Sequence, residues 1–417
     1  MKGRLLFILV LSMLAVSCEG WFNPDKKKTF DRVMILYSAG CNDLVHHLKD
    51  DITELKTGYI PSKKDKKALI VVSHLANGIG LDGKAVLEPE TDSYIIRLYK
   101  FKKNVVADTL KRIEGVKVLT QPEVMSETLQ YVKDNFRTDH YGMVFSSHAT
   151  GWLPEDYYTN PIEQSPQQTT ITWQAPPRRL SIPNGNLIES IGREEALIDG
   201  QRVIFELDIK EFARSIPMHL DYLLFDACFM AGVEVAYELR NLCDKIAFAP
   251  TEVISGGFDY KTMASHLLED ELDIYNVCLD FYNKYKGDSY GVTVTLVNCE
   301  KLEGLASVCK DLFSKYRDSM ASINPSLVQS YFRDQKRHWF YDLEDILDKA
   351  GISSTEKNNL EQALNNCIIY KAATPKFITI KINTYSGFSM YLPCNGSDNL
   401  DDYYKTLAWN KATGLVQ

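Results

Sequence analysis

The stretch LLFDACFMAG, residues 223–232, places Cys228 directly after an apolar run, with Asp226 two residues ahead of it. Together with Tyr222, this run predicts a buried β-strand, because a strand covered on both faces is apolar at nearly every position. The next segment, GVEVAYELRNLC (232–243), has the spacing of a helix. A cysteine at such a junction is either a small buried hydrophobe or a reactive thiol at the edge of a sheet.

The order of a strand and then a helix recurs along the chain. Further helices are predicted at NDLVHHLKDDITEL (42–55) and SETLQYVKDNF (126–136). Further strands are predicted at RVMILYSAG (32–40), KALIVVSHL (67–75), SYIIRLYKF (93–101), YGMVFSSHATGW (141–152), KIAFAP (245–250) and YGVTVTLVN (290–298). This alternation predicts an α/β fold with a mostly parallel sheet covered on both faces.

Two segments interrupt the alternation. Residues 153–200 are rich in Pro, Gln, Thr and Asn, which predicts a long loop that is either functional or disordered. From about Lys261 the chain is mainly helical, with late strands predicted at FITIKINTY (377–385) and GFSMYLP (387–393). We therefore expect a core at residues 31–260 and a C-terminal part at 261–417 that packs on it and contributes the late strands.

The composition is that of an ordinary folded protein, since 45% of the 417 residues are hydrophobic and 24% are charged. The formal net charge of -8 and the short Lys/Arg runs argue against nucleic acid as a partner. The nine cysteines show no CxxC spacing and no HExxH motif occurs. Neither a disulfide framework nor a metal site is therefore expected.

The N-terminus has the pattern of an export signal. Lys2 and Arg4 precede an apolar run from Leu5 to Ala15, which is too short to span a bilayer. The stretch LAVSC (14–18) resembles a bacterial lipoprotein box, so residues 1–17 would be removed and Cys18 lipidated, with 18–30 as a linker. A plain secretory signal is the alternative. We expect a bacterial cell-envelope protein, held at the outer membrane or cell surface by its lipid.

His148 and Cys228 are both predicted to lie at the carboxyl ends of strands. Ligands of an open parallel sheet bind beyond those ends, so the fold itself would bring a thiol and a base to one edge. Taken singly, each residue is more often a packed or hydrogen-bonded side chain than a catalytic one. Their shared position is what points to catalysis.

The segments SSHATGW (146–152) and LLFDACFMAGVEVAYEL (223–239) together resemble the clostripain-like cysteine peptidases, family C11 of the caspase-like clan. The resemblance extends from VMILYSAGCNDL (33–44) to GFSMYLP, which is most of the chain after residue 30. It implies a caspase-like three-layer α/β/α sandwich with additional C-terminal helices. It also implies a cysteine endopeptidase, and we expect a monomer.

The resemblance assigns roles to four residues. Cys228 would be the nucleophile and His148 the general acid and base. Backbone N–H groups of Ala149 and Cys228 would form the oxyanion hole. Asp226 would lie in the S1 pocket and pair with Arg or Lys at P1 of peptide substrates. From the residues alone, a cap of the helix that follows is the favoured explanation of Asp226.

The chain departs from the family pattern at one position, because the family's His-Gly pair is His148-Ala149 here. Alanine lacks easy access to positive φ, so a geometry that requires it would strain the loop, unless Gly151 absorbs the change.

The family is also activated by self-cleavage between the histidine and the cysteine. Arg178 and Arg179 in PPRRLS are the candidates, with Arg193 behind them. Two arginines in a polar loop are otherwise simply solvated.

No cofactor is expected. Some relatives use calcium, but this sequence has no EF-hand-like loop. Two other functions fit the same residues. One is a binding lipoprotein that kept the caspase-like fold and lost the chemistry, which Ala149 favours. The other is a thiol acyl-transfer enzyme, such as a transpeptidase or amidase, with the same dyad acting on a different acyl donor.

Overall fold

The computed structural model describes residues 29–115, 117–154, 191–333 and 338–417. The predicted signal peptide (1–17), the lipidation candidate Cys18 and the cleavage candidates Arg178 and Arg179 lie outside the described residues.

The strands, in chain order, are β1 (Arg32–Gly40), β2 (Lys67–Leu75), β3 (Ser93–Phe101), β4 (Asn104–Ile113), β5 (Tyr141–Ser146), β6 (Ile191–Ile198), β7 (Gln201–Leu207), β8 (Tyr222–Asp226), β9 (Lys245–Phe248), β10 (Thr293–Asn298), β11 (Tyr341–Asp342), β12 (Ile368–Ala373), β13 (Lys376–Phe377), β14 (Ile380–Lys381) and β15 (Ser389–Met390).

The helices are α1 (Val45–Thr57), α2 (Pro122–Asn135), α3 (Ile209–Ser215), α4 (Val233–Leu239), α5 (Tyr260–Leu268), α6 (Ile274–Tyr285), α7 (Leu302–Ala321), α8 (Leu343–Ala350), α9 (Ser354–Cys367), α10 (Asp398–Tyr404) and α11 (Ala408–Thr413).

Nine of the described strands form one sheet in the order β12-β10-β9-β8-β5-β1-β2-β3-β4. The five central strands, from β9 to β2, run parallel. At both edges the pairs are antiparallel, β10 and β12 on one side and β3 and β4 on the other. The sheet is therefore mixed, and parallel at the centre, where the predicted catalytic residues follow their strands.

Helices cover both faces of this sheet. Alternate side chains of β1 point to opposite faces, as strand geometry requires, so Val33 and Ile35 lie on one face and Met34 and Leu36 on the other. The first face shares its core with α2, α3, α4 and α7 to α11, and the second with α1, α5 and α6. This arrangement confirms the predicted three-layer α/β/α sandwich.

The prediction of a loop over residues 153–200 is wrong at the C-terminal end of that segment. Residues Ile191–Ile198 form β6, which pairs antiparallel with β7. The strand is hard to recognise because it buries charged residues: Glu194 is fully buried and its carboxylate lies 2.7 Å from Nδ1 of His74. Buried charges break the apolar alternation from which strands are predicted. Their partners come from distant parts of the chain.

The late strands are also shorter than predicted. FITIKINTY contributes to two small strands, β13 and β14, which pair with each other. GFSMYLP contributes β15, which pairs with β11 and flanks the main sheet. The strand that completes the sheet on this side is β12, which the sequence does not predict because its residues are half exposed at an edge.

The segment after residue 261 is joined to the core by a buried carboxylate. Glu234, on the helix that follows Cys228, accepts hydrogen bonds from the N–H of Tyr391 and the hydroxyl of Tyr404, each at 2.8 Å. Burial raises the pKa of Glu234 to about 7, although those two donors oppose the shift. The helix behind Cys228 is thereby fixed by residues that follow it by more than 150 positions.

Within the described ranges, no helix is long and apolar enough to cross a bilayer. In the same part of the chain, no three His, Cys, Asp or Glu side chains are grouped to hold a metal ion. The eight described cysteines are free thiols.

Candidate active site

The loops that follow β1, β5, β8 and β9 line a cavity of about 710 Å³ at the carboxyl edge of the parallel strands. This is the edge at which open α/β sheets bind ligands. The cavity wall includes His148, Cys228 and Asp226. The structure therefore brings the three predicted functional side chains to one site, although about eighty residues separate the histidine from the cysteine.

His148 is held by contacts of both its backbone and its ring. Strand β5 ends at Ser146, and the hydroxyl of Ser147 donates to the carbonyl of Ala39 at 2.7 Å. The carbonyl of His148 accepts from the N–H of Gly192 at 2.8 Å. On the ring, Nε2 lies 2.6 Å from Oδ1 of Asp43, in the loop after β1. Segments on both sides of the long loop thus fix this histidine.

Asp43 carries the negative charge expected of a carboxylate that is paired with an imidazole. Burial by itself raises the pKa of Asp43, but the hydrogen bond and the charge interaction with His148 more than offset it and lower the pKa. Asp43 is therefore ionised at neutral pH. A carboxylate in this position orients the ring and favours its protonated form.

Cys228 follows β8 by two residues and stands on a strained turn. Phe229, the next residue, has φ of 59°, a left-handed conformation that costs a non-glycine residue about 1–2 kcal/mol. Its N–H donates to the carbonyl of Thr251 at 2.9 Å, and its ring stacks on Phe340 with centroids 4.7 Å apart. These contacts hold the turn, and the turn presents the thiol to the cavity.

The thiol of Cys228 is half-buried, 3.8 Å from the carbonyl of Val253. Burial and the nearby charge of Glu252 raise its pKa to about 12, while Arg333 acts in the opposite direction. Arg333 binds both carboxylate oxygens of Glu252, at 2.7 and 2.8 Å from its Nε. The free protein therefore holds a protonated thiol, and its proton must leave during the reaction.

Ala149 and Cys228, whose backbone N–H groups are the predicted oxyanion donors, both line this cavity. Neither the N–H of Ala149 nor that of Cys228 donates to another of the described residues. Ala149 is not among the residues with positive φ, whereas Gly151 has φ of 66°. The departure from His-Gly therefore leaves no left-handed strain at Ala149, because Gly151 takes that conformation.

Asp226 is not a helix cap. Helix α4 begins at Val233 behind Gly232, with no side-chain cap. Asp226 is instead 92% buried at the cavity floor, where Oδ2 accepts from the hydroxyl of Tyr260 at 2.6 Å. Burial raises the pKa of this carboxyl, and the Tyr260 hydrogen bond opposes that effect. The cap interpretation is therefore wrong.

Glycine is required next to this carboxylate. A Cβ at Gly257 would lie 2.5 Å from Oδ2 of Asp226, and the φ of Gly257 is 50°. Both the conformation and the close approach exclude a side chain. The floor of the cavity is left open for a ligand group.

The sequence profile of the clostripain family matches residues 36–168 and 200–414, which is most of the chain. The chain belongs to the clostripain family. It is accordingly a cysteine peptidase on a caspase-like α/β sandwich, as the sequence predicts. Clostripain of Hathewaya histolytica is 23% identical over 455 residues, covering 91% of this chain and 78% of that protein.

Solved structures of C11 proteases share the fold. An inactive zymogen C11 protease from Parabacteroides distasonis superimposes with a TM-score of 0.73 at 23% identity, covering 92% of this chain and 98% of that one. A secreted C11 cysteine protease from Bacteroides thetaiotaomicron, in complex with an irreversible peptide inhibitor, gives 0.70 at 21% identity, covering 92% and 99%.

Two side chains of this clostripain-family site are not predicted from the sequence. Asp43 gives no signal, because an acid beside a helix start is common. Asp51 does give one: the buried residues of α1 are Val45, Leu48, Asp51 and Leu55. A carboxylate at a core-facing position of an amphipathic helix is rare unless it has a role.

Arg193, which the sequence places behind the predicted cleavage sites, lies in β6, where its guanidinium is 2.7 Å from the carboxylate of Glu195.

Proposed function

We propose that the protein is an exported cysteine endopeptidase that cleaves after arginine or lysine, with Cys228 and His148 as its catalytic residues. The observation that carries the proposal is the single cavity lined by the thiol, the imidazole and the buried carboxylate of Asp226. Such a reaction needs a nucleophile, a base and an acidic residue that selects a cationic side chain, all at one edge of the sheet. We further propose that the protein acts as a monomer and without a cofactor.

In the proposed reaction, thiolate formation accompanies attack, because Cys228 is protonated in the free protein. His148 takes the thiol proton while Sγ forms a bond to the scissile carbonyl carbon. The carbonyl oxygen becomes an oxyanion, which the N–H groups of Ala149 and Cys228 stabilise. The C–N bond then breaks, and the leaving amine takes the proton from His148.

Deacylation reverses the roles. A water molecule gives a proton to His148 and attacks the thioester, and the C–S bond breaks as the proton returns to Sγ. Asp43 holds the imidazole in one orientation through both halves of the cycle. Its 2.6 Å hydrogen bond supports this positioning role.

We also propose that the protein is held at the membrane by a lipid and is activated by cleavage. The lipoprotein-like LAVSC stretch supports lipidation at Cys18 and attachment to the outer membrane or cell surface. A relative described as secreted and another described as an inactive zymogen are consistent with export and with activation by cleavage. Arg178 and Arg179 are the proposed cleavage sites.

The test uses fluorogenic peptides with arginine, lysine, citrulline or norleucine at P1. Wild-type protein and Cys228→Ala are compared before and after limited trypsin cleavage, with the trypsin removed. We expect turnover of the arginine and lysine peptides alone, lost at least about 10³-fold in Cys228→Ala and after alkylation. Absence of alkylator-sensitive turnover in both states would favour the binding lipoprotein, and equal cleavage of norleucine peptides would remove the P1 assignment.

A further inference from the structure

The cavity floor holds a second buried carboxylate, which the proposed mechanism does not use. Asp51, on α1, is 92% buried and lines the same cavity as Asp226. Its carboxylate accepts no hydrogen bond from any of the described residues. Neither of its carboxylate oxygens is fully buried, so a cationic ligand in the cavity can reach them.

Two other carboxylates of the cavity have arginine partners. Glu252 pairs with Arg333, and Glu195 pairs with Arg193 and Arg202. In contrast, no ion pair joins Asp51 or Asp226 to a basic side chain in the described ranges. Asp51 and Asp226 therefore lack the arginine partners that Glu195 and Glu252 have.

The cation that acts on both of these carboxylates, Lys284, is bound to the backbone. Lys284, on α6, donates to the carbonyls of Gly256 and Phe258 at 2.7 and 3.1 Å. Its charge partly offsets the two acids, lowering the pKa of both, but its donors are taken by the backbone. Lys284 therefore offsets part of the charge of the two carboxylates but forms no ion pair with either among the described residues.

We infer that Asp51 is a second specificity determinant of the S1 pocket and that, with Asp226, it selects arginine over lysine at P1. A planar guanidinium presents five N–H donors and can bind two carboxylates at once, whereas an ammonium is a compact point charge. The acids come from different elements, α1 and β8, so they can meet a guanidinium from two directions. This inference rests on the S1 assignment in the proposed function.

Proton uptake supports the pairing. Burial raises the pKa of Asp51 and the charge of Asp226 raises it further, so Asp51 holds a proton at pH values where an ordinary aspartate is ionised. A guanidinium that binds there would displace that proton into solvent. The charged and titratable groups that act on this pair are Asp50 and Glu54 on α1, Tyr260 at the start of α5, and Lys284 and Tyr285 on α6.

The test compares Asp51→Asn with Asp50→Asn, which removes the same charge from an exposed position on the same helix. Peptides with arginine or lysine at P1 give the kcat/KM ratio. We expect Asp51→Asn to lower kcat/KM for arginine about 10- to 100-fold, mainly through KM, and for lysine less than threefold. Asp50→Asn should keep the wild-type ratio. A ratio in Asp51→Asn within twofold of that in Asp50→Asn would overturn the inference.

A binding measurement separates this inference from the peptidase proposal. Agmatine, a free guanidinium probe, is titrated into Cys228→Ala protein by calorimetry in two buffers of different ionisation enthalpy, before and after trypsin cleavage. We expect binding with proton release near pH 7, and both should be lost on adding Asp51→Asn. If that variant does not fold, Asp51→Ala takes its place. Asp51-dependent binding without peptide cleavage would remove the peptidase proposal alone, and agmatine binding that ignores Asp51 would remove this inference alone.

Discussion

Nε2 of His148 lies 2.6 Å from Oδ1 of Asp43, which joins the loop after β5 to the loop after β1. The carboxylate is half exposed, and the imidazole is the more buried partner. A surface ion pair contributes little to stability, but a fixed imidazole matters greatly to proton transfer. The pair is therefore best understood as a device that orients the proposed general base.

Asp43→Asn tests this orientation. We expect kcat to fall roughly 10²-fold with little change in KM, because a misoriented imidazole loses much of the gain from general acid–base catalysis. The melting temperature should stay within a few degrees of the wild type. Asp43→Glu should recover part of the activity, and Asp50→Asn should behave as the wild type. An unchanged kcat in Asp43→Asn would show that Asp43 has no part in catalysis.

The acidity of Cys228 should depend on the pair formed by Glu252 and Arg333. Glu252→Gln removes a negative charge that raises the thiol pKa, so alkylation of Cys228 at pH 8 should become faster. Arg333→Ala removes the opposing charge, so alkylation should become slower.

The rate of this alkylation is measured by mass spectrometry of the Cys228 peptide, because Cys394 is exposed and also reacts. Glu269→Gln, beside Lys67 at the opposite edge of the sheet, is the matched control and should not change the rate. Equal rates in all four proteins would contradict the electrostatic account.

Stability should depend on pH through Glu234. Burial raises the folded-state pKa of this residue to about 7 from an unfolded value near 4.3. The contribution is present below the unfolded pKa and is lost as the pH rises through about 7, because only the folded state prefers the proton.

Glu234→Gln isolates this effect, because the amide keeps an acceptor for Tyr391 and Tyr404 and does not ionise. The free energy of unfolding of the wild type, relative to Glu234→Gln, should fall by roughly 3 kcal/mol between pH 4.5 and pH 8.5. Urea denaturation at several pH values measures it, with the exposed Glu300→Gln as control. A difference that does not vary with pH would mean that Glu234 ionises normally when folded.

Self-cleavage is expected between the histidine and the cysteine. Purified wild-type protein should run as two chains, one ending and the other beginning near Arg178 and Arg179. Cys228→Ala should remain one chain. A variant that retains Cys228 but has both arginines replaced by alanine should remain uncut. N-terminal sequencing of the fragments locates the cut, and a nicked Cys228→Ala chain from a protease-free host would exclude an intramolecular reaction.

Lipidation at Cys18 is expected to anchor the protein. After expression in a Gram-negative host, the wild type should partition into the detergent phase and with membranes, whereas Cys18→Ala should be found in the soluble fraction. Mass spectrometry of the N-terminal peptide should show a diacylated or triacylated cysteine. A wild type that is cut before or after Cys18 and carries no lipid would support the plain secretory signal.

Much of the fold follows from local pattern. Strands β1, β2 and β3 have the predicted bounds, because their apolar runs end in turns and no distant partner is needed to recognise them. Strands β6 and β12 could not be found in this way. The first buries Glu194 against His74, 120 residues away in sequence, and the second is half exposed at a sheet edge.

The site divides in the same way. The fold class, the family and the positions of Cys228 and His148 at strand ends follow from the amino-acid sequence, because apolar periodicity and short motifs are local properties of the chain. The three-dimensional arrangement was needed to show that Asp226 lines a cavity rather than capping a helix, and that Asp43 and Asp51 line the same cavity. Those facts depend on what surrounds each carboxylate, since burial, hydrogen bonding and charge are set by residues far away in sequence.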